Sequence, residues 1–186
     1  DQGARHMADC LRAVRSSCPG MTVEALIGDF GGDRAGLKTV LDAGPHIMSH
    51  NIETVESVSL LARDRRCGYR RSLDLLRCVK ALAPSGNAPS VPTKSSLMLG
   101  LGESAAEVRQ AMTDLREAGV SLLTIGQYLR PTKSARHLPV REFVPPERFD
   151  GLKASALEMG FLHVASGPFV RSSYRADEGG GVLTDR

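Results

Sequence analysis

Apolar residues follow two alternating rhythms along this chain. Five short runs have strand length: "TVEALIG" at 22–28, "HIMSHN" at 46–51, "TKSSLMLGLGE" at 93–103, "VSLLTIGQYL" at 120–129 and "FLHVASG" at 161–167. Between them, apolar positions fall at helical spacing. Residues 5–17 carry Ala8, Leu11 and Val14 near one face, and Pro19-Gly20 stops that helix. Asp33 is placed to cap a helix with Leu37, Val40 and Leu41, which ends at Gly44-Pro45. Val55, Val58 and Leu61 mark another, and Leu75, Leu76, Val79 and Leu82 one from about Ser72. Ser104 followed by Glu107 reads as a capping box for a helix with Val108, Ala111, Met112 and Leu115, closed by Gly119. Pro146 suits the first turn of a helix with Phe149, Leu152, Ala156 and Leu157, closed by Gly160. "SGNAPSVP", 85–92, reads as a loop, and the tail "DEGGGVLTDR" as disordered.

Strands alternating with helices predict an α/β protein with a parallel sheet and crossover helices. The polar and glycine-rich stretches follow the strands: Gly28–Gly32, His50–Glu53, Gly100–Glu103 and Gln127–Pro131. Parallel sheets bind ligands at the C-terminal ends of their strands, so functional chemistry is expected at that rim.

Composition narrows the partners. At 186 residues the chain can bury a sizeable core, and aromatics are only 4%, so that core must rest on aliphatic residues. A net charge of +3, with no basic stripe interleaved with aromatics, gives no case for nucleic acid. The cluster Arg63, Arg65, Arg66, Arg70 and Arg71 reads as a solvated loop. Cys10, Cys18, Cys67 and Cys78 form neither a C-x-x-C nor a zinc spacing, and a reducing compartment is expected. No apolar run approaches membrane-spanning length.

Motifs exclude more than they assign. "GLGE" lacks the third glycine of a dinucleotide fingerprint, and no phosphate loop, nucleophile elbow or H-E-x-x-H is present. The five histidines have no metal spacing and read as structural or solvated. What remains suits a nucleoside-like ligand. In an extended segment Asn51 and Glu53 point to one side, where an amide and a carboxylate can hydrogen-bond two ribose hydroxyls. Equally, Asn51 could cap the following helix and Glu53 favour its first turn. Lys94 could meet a ligand carboxylate or simply be solvated. Gly100 and Gly102 could admit a flat ring or only close packing.

Six segments, "ARHMADCLRAVR", "HNIETV", "TKSSLMLGLGE", "LTIGQYLRPT", "HLPVREFVPPERFD" and "VASGPFVRSSYRAD", together resemble the lipoyl synthase family of radical S-adenosylmethionine enzymes, collinearly over about residues 3–178. The resemblance implies a partial (β/α)6 barrel, here with about four of six strands in 1–145, a C-terminal helix, strand and R-S-S-Y segment in 146–178, and a disordered tail in 179–186. It implies two [4Fe–4S] clusters. One cleaves S-adenosylmethionine to a 5′-deoxyadenosyl radical that takes hydrogens from C6 and C8 of a protein-bound octanoyl chain; the auxiliary cluster supplies sulfur. The implied partners are octanoylated lipoyl carrier domains, those of the glycine cleavage H protein and 2-oxoacid dehydrogenase E2, with neither nucleic acid nor membrane. Asn51 and Glu53 match positions near the cofactor ribose. Gly100, Gly102 and Glu103 match the glycine strand beside its adenosyl part, and Lys94 and Gln127 fall among the cofactor-binding candidates. Ser173 matches the serine that ligates the auxiliary cluster.

The family's two cysteine triads have no counterpart in this sequence. The chain alone is therefore expected to hold no stable cluster, to be inactive and to be poorly soluble, as a piece of a longer product. The alternative is a non-catalytic module that only contacts carrier domains. The expected location is a mitochondrion or plastid in a eukaryote and the cytoplasm in a bacterium.

Overall fold

The computed structural model describes residues 1–82 and 91–184, with the side chains of 182–184 left aside; most of the 85–92 loop lies outside the described residues. Five strands form one parallel sheet in the order β1-β2-β3-β4-β5. They are β1 (Glu24–Leu26), β2 (Ile47–Ser49), β3 (Thr93–Leu99), β4 (Leu122–Gln127) and β5 (His163–Ser166). Each neighbouring pair is parallel, for example Lys94 opposite Leu122 and Leu122 opposite His163. Strand order equals chain order, so right-handed crossovers put every connecting helix on the same face. That is barrel winding, not the reversal of strand order that splits helices between two faces. β1 and β5 each have one strand neighbour among the described residues.

The helices are α1 (Ala4–Ser17), α2 (Arg34–Leu41), α3 (Glu56–Ala62), α4 (Tyr69–Leu82), α5 (Ala105–Glu117), α6 (Pro146–Glu158) and α7 (Ala176–Thr184). Local chemistry explains their starts. Asp33 Oδ1 accepts the Ala35 N–H at 2.9 Å, and Ser104 with Glu107 forms the reciprocal capping box of α5. Successive strand residues face opposite sides. Leu97 and Leu99 of β3, Leu123 and Ile125 of β4 and Val164 of β5 point to the helices and meet Val108, Met112, Leu115 and Phe149 in the main core. A second core joins Ala25, Ile27 and Met48 to α1, α2 and α4. The alternate residues, Glu24, Ile47, Ser49, Lys94, Ser96, Leu122, Thr124 and His163, face away from the connecting helices.

The strand expected at 161–167 is β5, and it pairs with β4 as a full member of the same sheet. One feature differs from the sequence expectation: the tail read as disordered from residue 179 is helical to Thr184. Three glycines make a poor isolated helix, but here they permit close approach. A side chain at Gly179 would meet Leu122 at 3.2 Å, and Gly179 and Gly180 are buried. Tertiary packing on the face of the sheet opposite the connecting helices outweighs the weak propensity.

Candidate functional site

The loop after β2 builds the site. His50 is buried, with Nδ1 2.9 Å from the Ile27 carbonyl and Nε2 2.9 Å from Ser72 Oγ. A carbonyl only accepts, so Nδ1 donates, and the neutral ring accepts the Ser72 hydroxyl at Nε2. Arg63 Nη1 donates to Ser72 Oγ at 2.9 Å and to the Ile52 carbonyl at 3.2 Å. This chain of bonds ties the loop after β1, the loop after β2 and helix α4 together. Burial lowers the His50 pKa first of all, with the nearby Arg63 charge acting the same way. Burial also lowers that of Arg63, against the pull of the Glu53 carboxylate.

The tether presents Asn51 and Glu53. Neither caps a helix: α3 starts at Glu56 with Val55 as its N-cap. Glu53 sits at φ 67°, a left-handed conformation unusual for a residue with a side chain. Its N–H bonds the Ser96 carbonyl at 3.0 Å and its carbonyl accepts from Met98 at 2.8 Å, which pins the strained residue to β3. Asn51 Oδ1 is buried without a hydrogen-bond partner among the described residues. Such an orphan acceptor is costly unless a ligand or water satisfies it. Ser49 Oγ and Thr124 Oγ1, on the sheet face opposite the connecting helices, are orphaned likewise.

Glu53 opens into a cavity of about 190 Å³ whose walls include Leu61, Met98, Leu101, Tyr128 and Leu138. An apolar wall with a few polar groups at the C-terminal rim suits a flat base with an attached sugar. Tyr128 OH donates to the Leu138 carbonyl at 2.9 Å, fixing one wall. A larger cleft of about 580 Å³ lies between α2 and α4, but its charges largely pair internally, Arg71 with Asp29 and Arg77 with Asp74.

The other candidates divide. Gly100 and Gly102 take positive φ, 98° and 110°, as a tight turn requires. Glu103 folds back onto that turn, accepting the N–H of Gly100 at 2.6 Å and of Leu101 at 2.9 Å, so its carboxylate shapes the loop. Lys94 lies near the start of β3, away from the rim, and its Nζ is 2.8 Å from Glu24 Oε2. Gln127 points to the helix side. Its Nε2 donates to the Glu142 carbonyl at 3.0 Å and its Oε1 accepts from Val144 N–H at 2.9 Å, holding the segment before α6. Ser173 is exposed in the turn before α7. Sequence reading missed Leu138 as a wall of the pocket and His50 as its tether. For Leu138 no local signal exists, and for His50 the position beside Asn51 was the only hint.

The residues present do not fit an iron–sulfur cluster. Among the described residues no group of three or more His, Cys, Asp or Glu side chains could hold a metal. Cys10 and Cys18 are exposed, and Cys67 and Cys78 half-buried, at scattered places. A nucleoside-bearing cofactor fits better, because Asn51 Oδ1 needs a donor and Glu53 stands at the pocket.

The singly wound parallel sheet, with its loops gathered at one rim, defines an α/β protein of the partial-barrel class. By sequence the chain is similar to lipoyl synthases over nearly its whole length. It is 52% identical to the lipoyl synthase of Methanocella arvoryzae over 178 residues, 96% of this chain and 58% of that protein. It is 50% identical to that of Thermus thermophilus over 95% of this chain and 53% of that protein. It is 48% identical to the mitochondrial lipoyl synthase of Kluyveromyces lactis over 96% of this chain and 46% of that protein. The chain thus spans about half the length of the curated relatives it matches. No family model matches it. The relatives are bacterial, archaeal and mitochondrial, and no described helix is long and apolar enough to cross a membrane.

Proposed function

We propose that this chain supplies the nucleoside-binding half of a lipoyl synthase, which inserts two sulfur atoms at C6 and C8 of an octanoyl group carried on a lipoyl domain. The observation that carries this reading is the identity of about half of all positions to lipoyl synthases across nearly the whole chain. S-adenosylmethionine, when bound, would supply the 5′-deoxyadenosyl radical for hydrogen abstraction, its carbon–sulfur bond broken by one electron from an iron–sulfur cluster held outside this chain's residues. Asn51 and Glu53 hold its ribose hydroxyls, the apolar pocket wall takes the base, and the Gly100–Gly102 turn lets backbone approach. The cysteines present do not make a cluster site, so no step through a cluster is assigned to this chain, and by itself it does not turn over. Its compartment follows its host: the cytoplasm of a prokaryote, or a mitochondrion or plastid.

A chimera tests the reading. Residues 1–178 replace the matching region of the Thermus thermophilus relative, and the cluster-loaded product is given S-adenosylmethionine and an octanoylated carrier domain. The expected result is sulfur insertion, read as a mass gain on the carrier. A folded, cluster-loaded chimera that binds the carrier and leaves it unmodified overturns the proposal.

A further inference from the structure

The basic side chains of the protein are distributed unevenly in their pairing. On α1, α2, α3–α4 and α6 many meet a carboxylate, such as Arg12 with Asp9, Lys38 with Asp42, Arg70 with Glu56 and Arg148 with Glu142. The segment after β4 is different. Residues 128–141, "YLRPTKSARHLPVR", hold Arg130, Lys133, Arg136 and Arg141 and not one acidic residue. Lys133, Arg136 and Arg141 are exposed, and none forms an ion pair with a described residue.

This segment is also built. Arg130 spends its guanidinium inward, on the carbonyls of His137 at 3.1 Å and Ser134 at 2.8 Å. Thr132 Oγ1 lies 2.9 Å from His137 Nδ1, and Tyr128 OH anchors Leu138. An exposed loop so bonded presents its remaining cations in a fixed arrangement, which lowers the ordering cost of a partner. Its place is the rim. Arg136 borders the same pocket as Glu53, Arg141 packs by Gly102, and the exposed, carboxylate-free Arg171 approaches Gly126 from the segment after β5. Leu129 and Phe143 stand exposed at the two ends of the loop, at 48% and 73% of full accessibility.

Unpaired cations around an exposed apolar pair make an electrostatic docking face. We infer that the 128–141 loop is the docking surface for an acidic protein domain, the domain that brings the acyl group to the rim. This rests on the proposed function above. A protein domain is favoured over nucleic acid because the segment offers aliphatic and phenylalanine contacts at its ends, and its one tyrosine ring, that of the half-buried Tyr128, belongs to the pocket wall and not to an exposed stacking platform.

The test titrates the intact chain with a fluorescent octanoylated carrier domain at low and high ionic strength. The chain is compared with a Lys133→Glu/Arg136→Glu/Arg141→Glu variant and with an Arg5→Glu/Arg12→Glu control on α1, all checked by thermal melting. The triple variant is expected to lose about tenfold or more in association rate and most of its salt dependence, while the control changes little. Carrier binding that survives the triple change overturns the docking face. Equal weakening in both variants reduces the effect to net charge and overturns it too. A duplex oligonucleotide that binds the same loop as tightly as the carrier does so as well. A wild-type chain that binds no carrier at all sinks the functional reading itself, a distinguishable result.

Discussion

Lys94 Nζ lies 2.8 Å from Glu24 Oε2, and this pair joins β3 to β1 over the intervening β2. The lysine side chain is 5% exposed and the glutamate 18%. Removing one partner strands the other charge in a site with little water. Lys94→Met or Glu24→Gln is expected to cost about 3–5 kcal/mol, measured by denaturant unfolding. The double change Glu24→Leu/Lys94→Met should recover most of that loss. Additive losses in the double variant would show that the pair does not act as a unit.

The His50 tether predicts a pH dependence of stability. Burial lowers its pKa below the ordinary 6.5, and Arg63 reinforces this while the Ile27 carbonyl and Asp29 oppose it. The unfolded chain therefore binds a proton that the folded chain resists. Stability contributed by neutral His50 is full above about pH 6.5 and falls as the pH drops from there toward the lowered folded value. The partly buried His163 shifts in the same direction. Melting temperature should decline below that pH, and a His50→Gln/His163→Gln variant should show a flatter profile. An unchanged slope in that variant would rule out these two rings as its source.

Gly126 fixes the path of the C-terminal segment. A side chain there would run into the Val170 carbonyl, backbone that cannot swing aside. Gly126→Ala is expected to cost about 1–3 kcal/mol and to free the segment after Gly167 to proteases. Limited proteolysis with mass readout checks this. A variant as stable and resistant as the parent would mean that the segment is not seated against β4.

Most of the fold was legible because periodicity and caps agree with it. The capping box at Ser104, the Asp33 cap and Pro146 at the start of α6 all fall where the pattern put them. What failed was non-local. Lys94 looked like a rim lysine until Glu24, 70 residues away, claimed it. For Asn51 and Glu53 it is the helix-start alternative that fails, because the left-handed Glu53, bonded to β3, delays α3 to Glu56. Gln127 was readable in hindsight. Strand alternation puts it with Leu123 and Ile125, on the helix side. Helix α7 was not, because its order depends on glycines fitting a surface that only the folded sheet creates.

Asn51 sets stability and ligand binding against each other. Its Oδ1 is buried with no hydrogen-bond partner among the described residues, and such an acceptor costs about 1–3 kcal/mol wherever no ligand or water supplies a donor. Asn51→Leu, similar in volume and without the orphan acceptor, should leave the chain at least as stable as the parent. The same change removes the group proposed to hold a ribose hydroxyl. Affinity for S-adenosylmethionine should fall about tenfold or more by calorimetric titration, as should that of Glu53→Gln, which loses a charge-assisted bond. A destabilised Asn51→Leu with unaltered affinity would reverse the assignment, making Asn51 a structural residue satisfied by water and leaving Glu53, which lines the pocket, as the ribose contact.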